Sequence, residues 1–308
     1  MSASPLSSRA AAALPTARLP DYALLVLLAS VWGASYTFIK LGVETIPPVT
    51  LIAARTLIAG LILAGIMRVR GVRWPRDRAT WRSFLIQACL NSVVPFTLIA
   101  WAELTVEAGT AAILNATTPI FTFLITWGLT RHEPATGRKL LGVTAGLVGT
   151  CLVIGPQALQ GLGREFTSQL AIVAATICYA FAAIYGRRFS TIDPTVPAAG
   201  SLLAGAALLI PISLILDRPW TLAPSQSSVL ALIGLATVST ALAFTIYFRL
   251  IRTLGSVATT AQGYLRVPVG VAIGVMALGE ALAPTVWIGL AFTLVGVVAM
   301  TFPAAKGR

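Results

Sequence analysis

Arg266 stands eleven residues into an apolar run that begins near residue 255. At 1.5 Å per residue that is about 16 Å along a helix, close to the middle of a membrane. An arginine at that depth costs at least about 2.5–3.5 kcal/mol to insert, so it needs a wet cavity or a partner. Its guanidinium is a flat fork of N–H donors suited to a carboxylate. No acidic residue lies at comparable depth in any apolar run. The missing negative charge can therefore come from a bound carboxylate, or water and helix carbonyls can satisfy the arginine as a structural group.

Other polar and aromatic residues fall at helical spacing inside apolar runs. Thr259, Gln262 and Arg266 share one face, as do Gln87, Asn91 and Pro95 at i, i+4 and i+8. Asn115, Thr118 and Thr122 share another. Trp32, Ser35, Tyr36 and Ile39 belong to the first run, Tyr179 to the sixth, and Thr240, Phe244 and Tyr247 to the eighth. Trp101 stands near the end of the third. Together these offer amides, hydroxyls and aromatic walls, which suit a zwitterion with an apolar side chain. Arg55 lies only seven residues beyond Pro48, so it can snorkel to the membrane surface.

Catalytic and metal chemistry find little support. The chain has one histidine, His132, in a polar loop, and three cysteines, Cys89, Cys151 and Cys178, within apolar runs and in no CxxC pair. No GxxxxGK[ST] phosphate loop occurs. No catalytic residue, metal or cofactor is expected.

The elements that must position these residues are membrane helices. Of 308 residues, 57% are hydrophobic and 10% charged, and mean hydropathy is +0.87. Ten apolar runs are legible, at about 21–41, 48–67, 81–103, 107–129, 138–156, 168–186, 195–216, 227–248, 255–279 and 285–303. Each is long enough to cross a ~30 Å hydrocarbon core, and only helices satisfy their backbone within the segment. With the N-terminus inside, 17 of the 22 Lys and Arg fall in inner loops and tails, and three (Lys40, Arg164 and Arg218) outside. This positive-inside bias supports ten spans with both termini cytoplasmic. It also accounts for the net charge of +12 without nucleic acid as a partner. The lipid bilayer and a small-molecule substrate are the expected partners; oligomeric state is open, and a monomer satisfies the pattern. Residues 1–20 read as a disordered tail and 304–308 as another.

The chain also repeats itself. Glu133, Gly142 and Gly149 share their spacing of nine and seven with Glu280, Gly289 and Gly296, and Pro119 matches Pro268. Two units follow, 21–156 and 157–303. Five spans per unit, an odd number, invert the second relative to the first. Inverted repeats build midplane sites that open to either side in turn. Pro95, Pro119 and Pro268 interrupt spans and are expected to act as hinges. The glycine-rich fifth and tenth runs are expected to serve as scaffold or interface.

These residues carry a resemblance. The duplicated Pro–Glu–Gly–Gly pattern, WGASYTFIK at Trp32–Lys40 and PPVTLIAAR at Pro47–Arg55 resemble the EamA-type drug/metabolite transporters, over about residues 22–302. Within that family the chain is most similar to the YddG-type amino-acid exporters. The resemblance implies an all-α integral membrane fold, ten transmembrane helices as two inverted five-helix repeats, in a bacterial-type inner membrane. It places the first, third, fourth, sixth, eighth and ninth spans around a central cavity. On that arrangement Arg266, Gln262, Asn91, Gln87, Asn115, Trp101, Tyr36, Trp32, Tyr179 and Tyr247 are expected to bind substrate. The expected activity is export of small metabolites, aromatic and other apolar amino acids first, by alternating access. The alternative is a broad-specificity drug or organic-anion exporter. A deep acid or histidine normally marks proton coupling. None stands out, so a gradient-driven uniporter is expected, with Glu103 and Glu107 keeping proton antiport open. One departure is Arg266 itself, since the family often has an acidic residue just before the ninth-span proline.

Overall fold

The computed structural model describes residues 19–106, 108–130, 136–154, 165–266, 268 and 284–301. Among these there are helices and no strand. The first repeat contributes α1 (Leu19–Val43), α2 (Pro48–Val69), α3 (Arg78–Ala88), α4 (Val94–Ala102), α5 (Ala108–Asn115), α6 (Thr118–Ile125) and α7 (Gly137–Ile154). The second contributes α8 (Phe166–Gly186), α9 (Thr195–Leu216), α10 (Gln226–Ala236), α11 (Ala243–Thr253), α12 (Ser256–Thr260) and α13 (Pro284–Thr301). Seven helical stretches are long and apolar enough to span a membrane, and Ile113–Leu129 is a shorter apolar one. The ten-span count extends beyond the described residues, as do Glu107, His132, Glu133 and Glu280 of the sequence reading.

The repeat is visible as paired helices. α3 and α10 are each 11 residues long and are capped alike: Asp77 accepts from the Thr80 amide and Ser225 from the Ser228 amide. Both then pass into a π-helical turn, Cys89–Val93 before α4 and Thr237–Leu242 before α11. A π-turn inserts one extra residue into the ladder and rotates everything after it.

α7 and α13 are 18 residues each and pack face to face. A Cβ on Gly142 would lie 2.9 Å from the Gly296 carbonyl oxygen, and one on Gly149 would lie 2.6 Å from that of Gly289. The early glycine of each helix thus meets the late glycine of the other, so the helices are antiparallel. Exchanging the repeats turns the pair 142/296 into 289/149, so a local two-fold relates them. An axis relating two antiparallel spans lies across the spans, in the membrane plane. The glycine face expected to be scaffold or interface is consumed within the chain.

α2 and α9, 22 residues each, also lie antiparallel. At one end the Thr50 hydroxyl donates to Asp217 Oδ2 at 2.8 Å. At the other, Arg70 meets Asp193 at 3.1 Å and the Thr195 hydroxyl at 3.0 Å. These partners hold Asp193, which lies in a loop, ionised below the usual carboxylate range although burial alone pushes it up.

The fourth span breaks between α5 and α6. Pro119, in the first turn of α6, has no N–H for the Asn115 carbonyl four residues back. The Thr118 hydroxyl donates to that carbonyl instead, at 2.8 Å. The break therefore turns Asn115 and Thr118 toward the centre of the bundle.

Candidate functional site: a cavity between the repeats

A cavity with an empty volume of about 710 Å³, part of it continuous with solvent, lies at the centre. Its described lining comes from seven places: Trp32, Ser35 and Ile39 on α1; Arg55 on α2; Asn91, Phe96 and Ile99 on the third span; Asn115 and Thr118 on the fourth; Tyr179 on α8; Tyr247 on α11; and Thr260, Gln262, Gly263 and Arg266 on the ninth. Two arginines line it, and no acidic side chain does among the described residues.

Arg266 Nε donates to Gln262 Oε1 at 2.9 Å, one turn back, and its guanidinium lies 5.5 Å from the Trp32 ring. Gly33 of α1 lies beneath it, where a Cβ would make ordinary contact with Arg266 Cβ at 3.7 Å. Arg55 is only 2% exposed. The expectation that it snorkels to the surface is corrected. Its guanidinium stacks 3.8 Å from the Phe96 ring, Nε donates to the Thr240 hydroxyl at 2.6 Å, and Nη2 reaches the Ser239 carbonyl at 3.4 Å.

The π-turn before α11 makes this possible. It leaves the Ser239 carbonyl available to side chains, and Trp32 Nε1 also donates to it at 3.1 Å. One irregular turn thus fixes both an arginine and a tryptophan of the cavity wall. Trp32 packs 5.6 Å from Tyr247, and Phe96 lies 6.3 Å from Tyr179, so the wall is largely aromatic. Two wall groups, Asn91 Nδ2 and the Tyr247 hydroxyl, are buried without a hydrogen-bond partner among the described residues. Buried polar groups are nearly always paired, so these are ready for a ligand's oxygens or nitrogens.

Most of the residues singled out from the sequence meet here: Arg266, Gln262, Asn91, Asn115, Trp32, Tyr179 and Tyr247. Two do not. Gln87 lies off the cavity and donates to the Ala182 carbonyl at 3.3 Å. Trp101 is 44% exposed on the outside of the bundle. Tyr36 lies on α1, and its side chain is outside the described residues. Pro95 opens α4 just after the π-turn, and Pro268 lies two residues past Arg266.

Phe96 and Thr260 were missed by helical spacing. The Gln87–Asn91–Pro95 face assumes an unbroken α-helix. The π-turn carries the face of Asn91 to Phe96, five residues on, and drops Gln87 from it. Ala261 is a turn between α12 and the residues that follow, which brings Thr260 rather than Thr259 to the wall. Thr259 instead bonds the Gly255 carbonyl at 2.7 Å.

An all-helical bundle with a two-fold across the spans and a polar cavity between its halves has the form of a membrane carrier. Residues 21–155 and 167–302 each match the EamA-like transporter family. The chain belongs to that family. It is 30% identical to the uncharacterized inner membrane transporter YedA of Escherichia coli, over 93% of this chain and 94% of that protein. It is 26% identical to a probable terminal-alkyne amino-acid exporter of Streptantibioticus cattleyicolor, over 89% and 91%. A crystal structure at 21% identity matches the fold with a TM-score of 0.74, over 92% of this chain and 96% of that one.

Proposed function

We propose that the chain is a secondary transporter exporting small carboxylated metabolites, most of all aromatic and other apolar amino acids, by alternating access through the central cavity. The observation that carries this is the pair Arg55 and Arg266 in an aromatic-walled cavity between inverted repeats. A carboxylate would take the fork of Arg266, and Asn91 and Tyr247 would pair with the remaining polar atoms. An apolar side chain would lie against Trp32, Phe96 and Tyr179. Pro119, Pro95 and Pro268 are the bending points by which one repeat rocks against the other. The relative named as an amino-acid exporter supports the substrate class. YedA's name, with the basic loops, supports an inner-membrane location with cytoplasmic termini.

One observation favours a second reading, an organic-anion exporter. No acidic side chain among the described lining residues receives a substrate ammonium. Purified protein in liposomes, offered labelled phenylalanine and labelled hydrocinnamate (the same acid without its amine), distinguishes the two. Saturable phenylalanine uptake well above that of hydrocinnamate is expected. Preference for hydrocinnamate establishes the second reading, and saturable uptake of neither removes both substrates.

A further inference from the structure

The buried carboxylate at the end of α4 is not used by the cavity. Glu103 is 1% exposed, and neither of its oxygens has a hydrogen-bond partner among the described residues. Its amide bonds to the Ile99 carbonyl at 2.9 Å, so it continues the helix. Glu103 therefore stands one turn beyond Ile99 and two beyond Phe96, on the stripe that lines the cavity. This end of the third span is opposite the basic loop at Arg68–Arg82.

Two cations surround it. From α1, Lys40 donates to the Glu103 main-chain oxygen at 3.0 Å, and its charge acts on the carboxylate. From α2, Arg55 acts on it electrostatically while bonding elsewhere, to Thr240 and Ser239. α8, packed along α4, brings Tyr179 to Arg55. An ionised carboxylate out of water with neither oxygen hydrogen-bonded is costly, so the charge state of Glu103 hangs on the nearby charges of Lys40 and Arg55.

We propose that Glu103 is the proton-binding site of the transport cycle, and that its proton crosses together with the substrate carboxylate, which sits on the fork of Arg266 and draws on the charge of Arg55 across the same cavity. The inference rests on the carboxylate reading of the cavity. Arg55 can compensate only one nearby anion. When a substrate carboxylate occupies its charge, Glu103 takes a proton from water and becomes neutral. When the substrate leaves, Glu103 gives that proton to water on the same side, and the anion turns to Arg55 and Lys40 for the return. One O–H bond forms and breaks per cycle, and substrate and proton move in the same direction. An inside-high metabolite gradient then drives both out. The case for plain uniport rested on finding no acid deep in a span; Glu103 stands at the end of one and is buried all the same.

The test uses the full chain in liposomes, as wild type, Glu103→Gln and Glu103→Asp. Labelled phenylalanine should accumulate several-fold on the alkaline side of an imposed pH gradient in the wild type. Glu103→Gln should still exchange phenylalanine across the membrane but accumulate none, and Glu103→Asp should recover part of the accumulation. Accumulation on the acidic side, or full gradient-driven accumulation by Glu103→Gln, would overturn the proposal. If phenylalanine is not carried at all, the substrate reading fails on its own and infrared spectroscopy decides about Glu103. A carboxyl stretch that a pH titration of the protein switches between its ionised and protonated forms, and that is lost in Glu103→Gln, supports the proton site; a Glu103 carboxyl that never takes up a proton overturns it.

Discussion

Arg266→Gln lowers the affinity for a carboxylated substrate about ten- to a hundredfold and leaves the amount of folded protein in the membrane unchanged. A hydrogen bond to a charged group is worth roughly 1.5–3 kcal/mol, and each 1.4 kcal/mol is about tenfold in affinity. The fold should survive because Arg266 is only partly buried, its bond to Gln262 lies within its own span, and glutamine is close to it in length. Glutamine keeps an amide there and removes a charge that is expensive to place in a membrane. Flux and membrane abundance, measured on the same preparations, check this. Equal loss of both would make Arg266 a structural residue. Arg55 is the instructive contrast, since it ties α2 to the π-turn before α11 and stacks on Phe96. Replacing it should damage transport and folding together.

Gly149→Leu should abolish folded protein altogether. The Cβ alone would meet Thr293 and stand 2.6 Å from the Gly289 carbonyl oxygen. Neither neighbour is the loose end of a flexible side chain. α7 and α13 would have to separate along their length, and α7 would lose its hold on the ninth span, where the Tyr264 hydroxyl donates to the Val143 carbonyl at 2.9 Å. Gly65 on α2 is the matched control, with nothing within 4 Å of its Cβ position. Detergent-solubilised Gly149→Leu should aggregate on size exclusion, while Gly65→Leu should elute as the wild type does. A monodisperse, thermally stable Gly149→Leu would mean that the inter-repeat seam tolerates separation.

What could be read from the sequence and what could not divide along physical lines. Long-range order is written in composition, so the spans and the glycine register of 142, 149, 289 and 296 were visible before any coordinates. The spacing of those glycines even encodes the antiparallel seam, because close approach demands the same small residue on both partners. The place of Arg266 at a cavity was visible too, since a charge within an apolar run has few inexpensive explanations. The two π-turns were not visible. No hydrophobic period distinguishes one extra residue in a helix, yet that residue moves Phe96 into the wall and Gln87 out. Arg55 was misjudged for the same reason. Its distance from Pro48 suggested a surface, and only the Thr240 hydroxyl and Ser239 carbonyl of the eighth span, 185 and 184 residues away in sequence, make burial acceptable. Trp101 illustrates the reverse error, since an aromatic near a span end is ordinary at a membrane interface.

The most direct measurement is displacement of labelled phenylalanine from the purified protein by its two half-analogues, hydrocinnamate and phenethylamine. A cavity organised around Arg55 and Arg266 predicts that hydrocinnamate, which keeps the carboxylate, displaces the label saturably. Phenethylamine, which keeps only the ammonium, should fail at a hundredfold higher concentration, and Arg266→Gln should erase the difference. Displacement by phenethylamine equal to that by hydrocinnamate would contradict carboxylate recognition by these arginines.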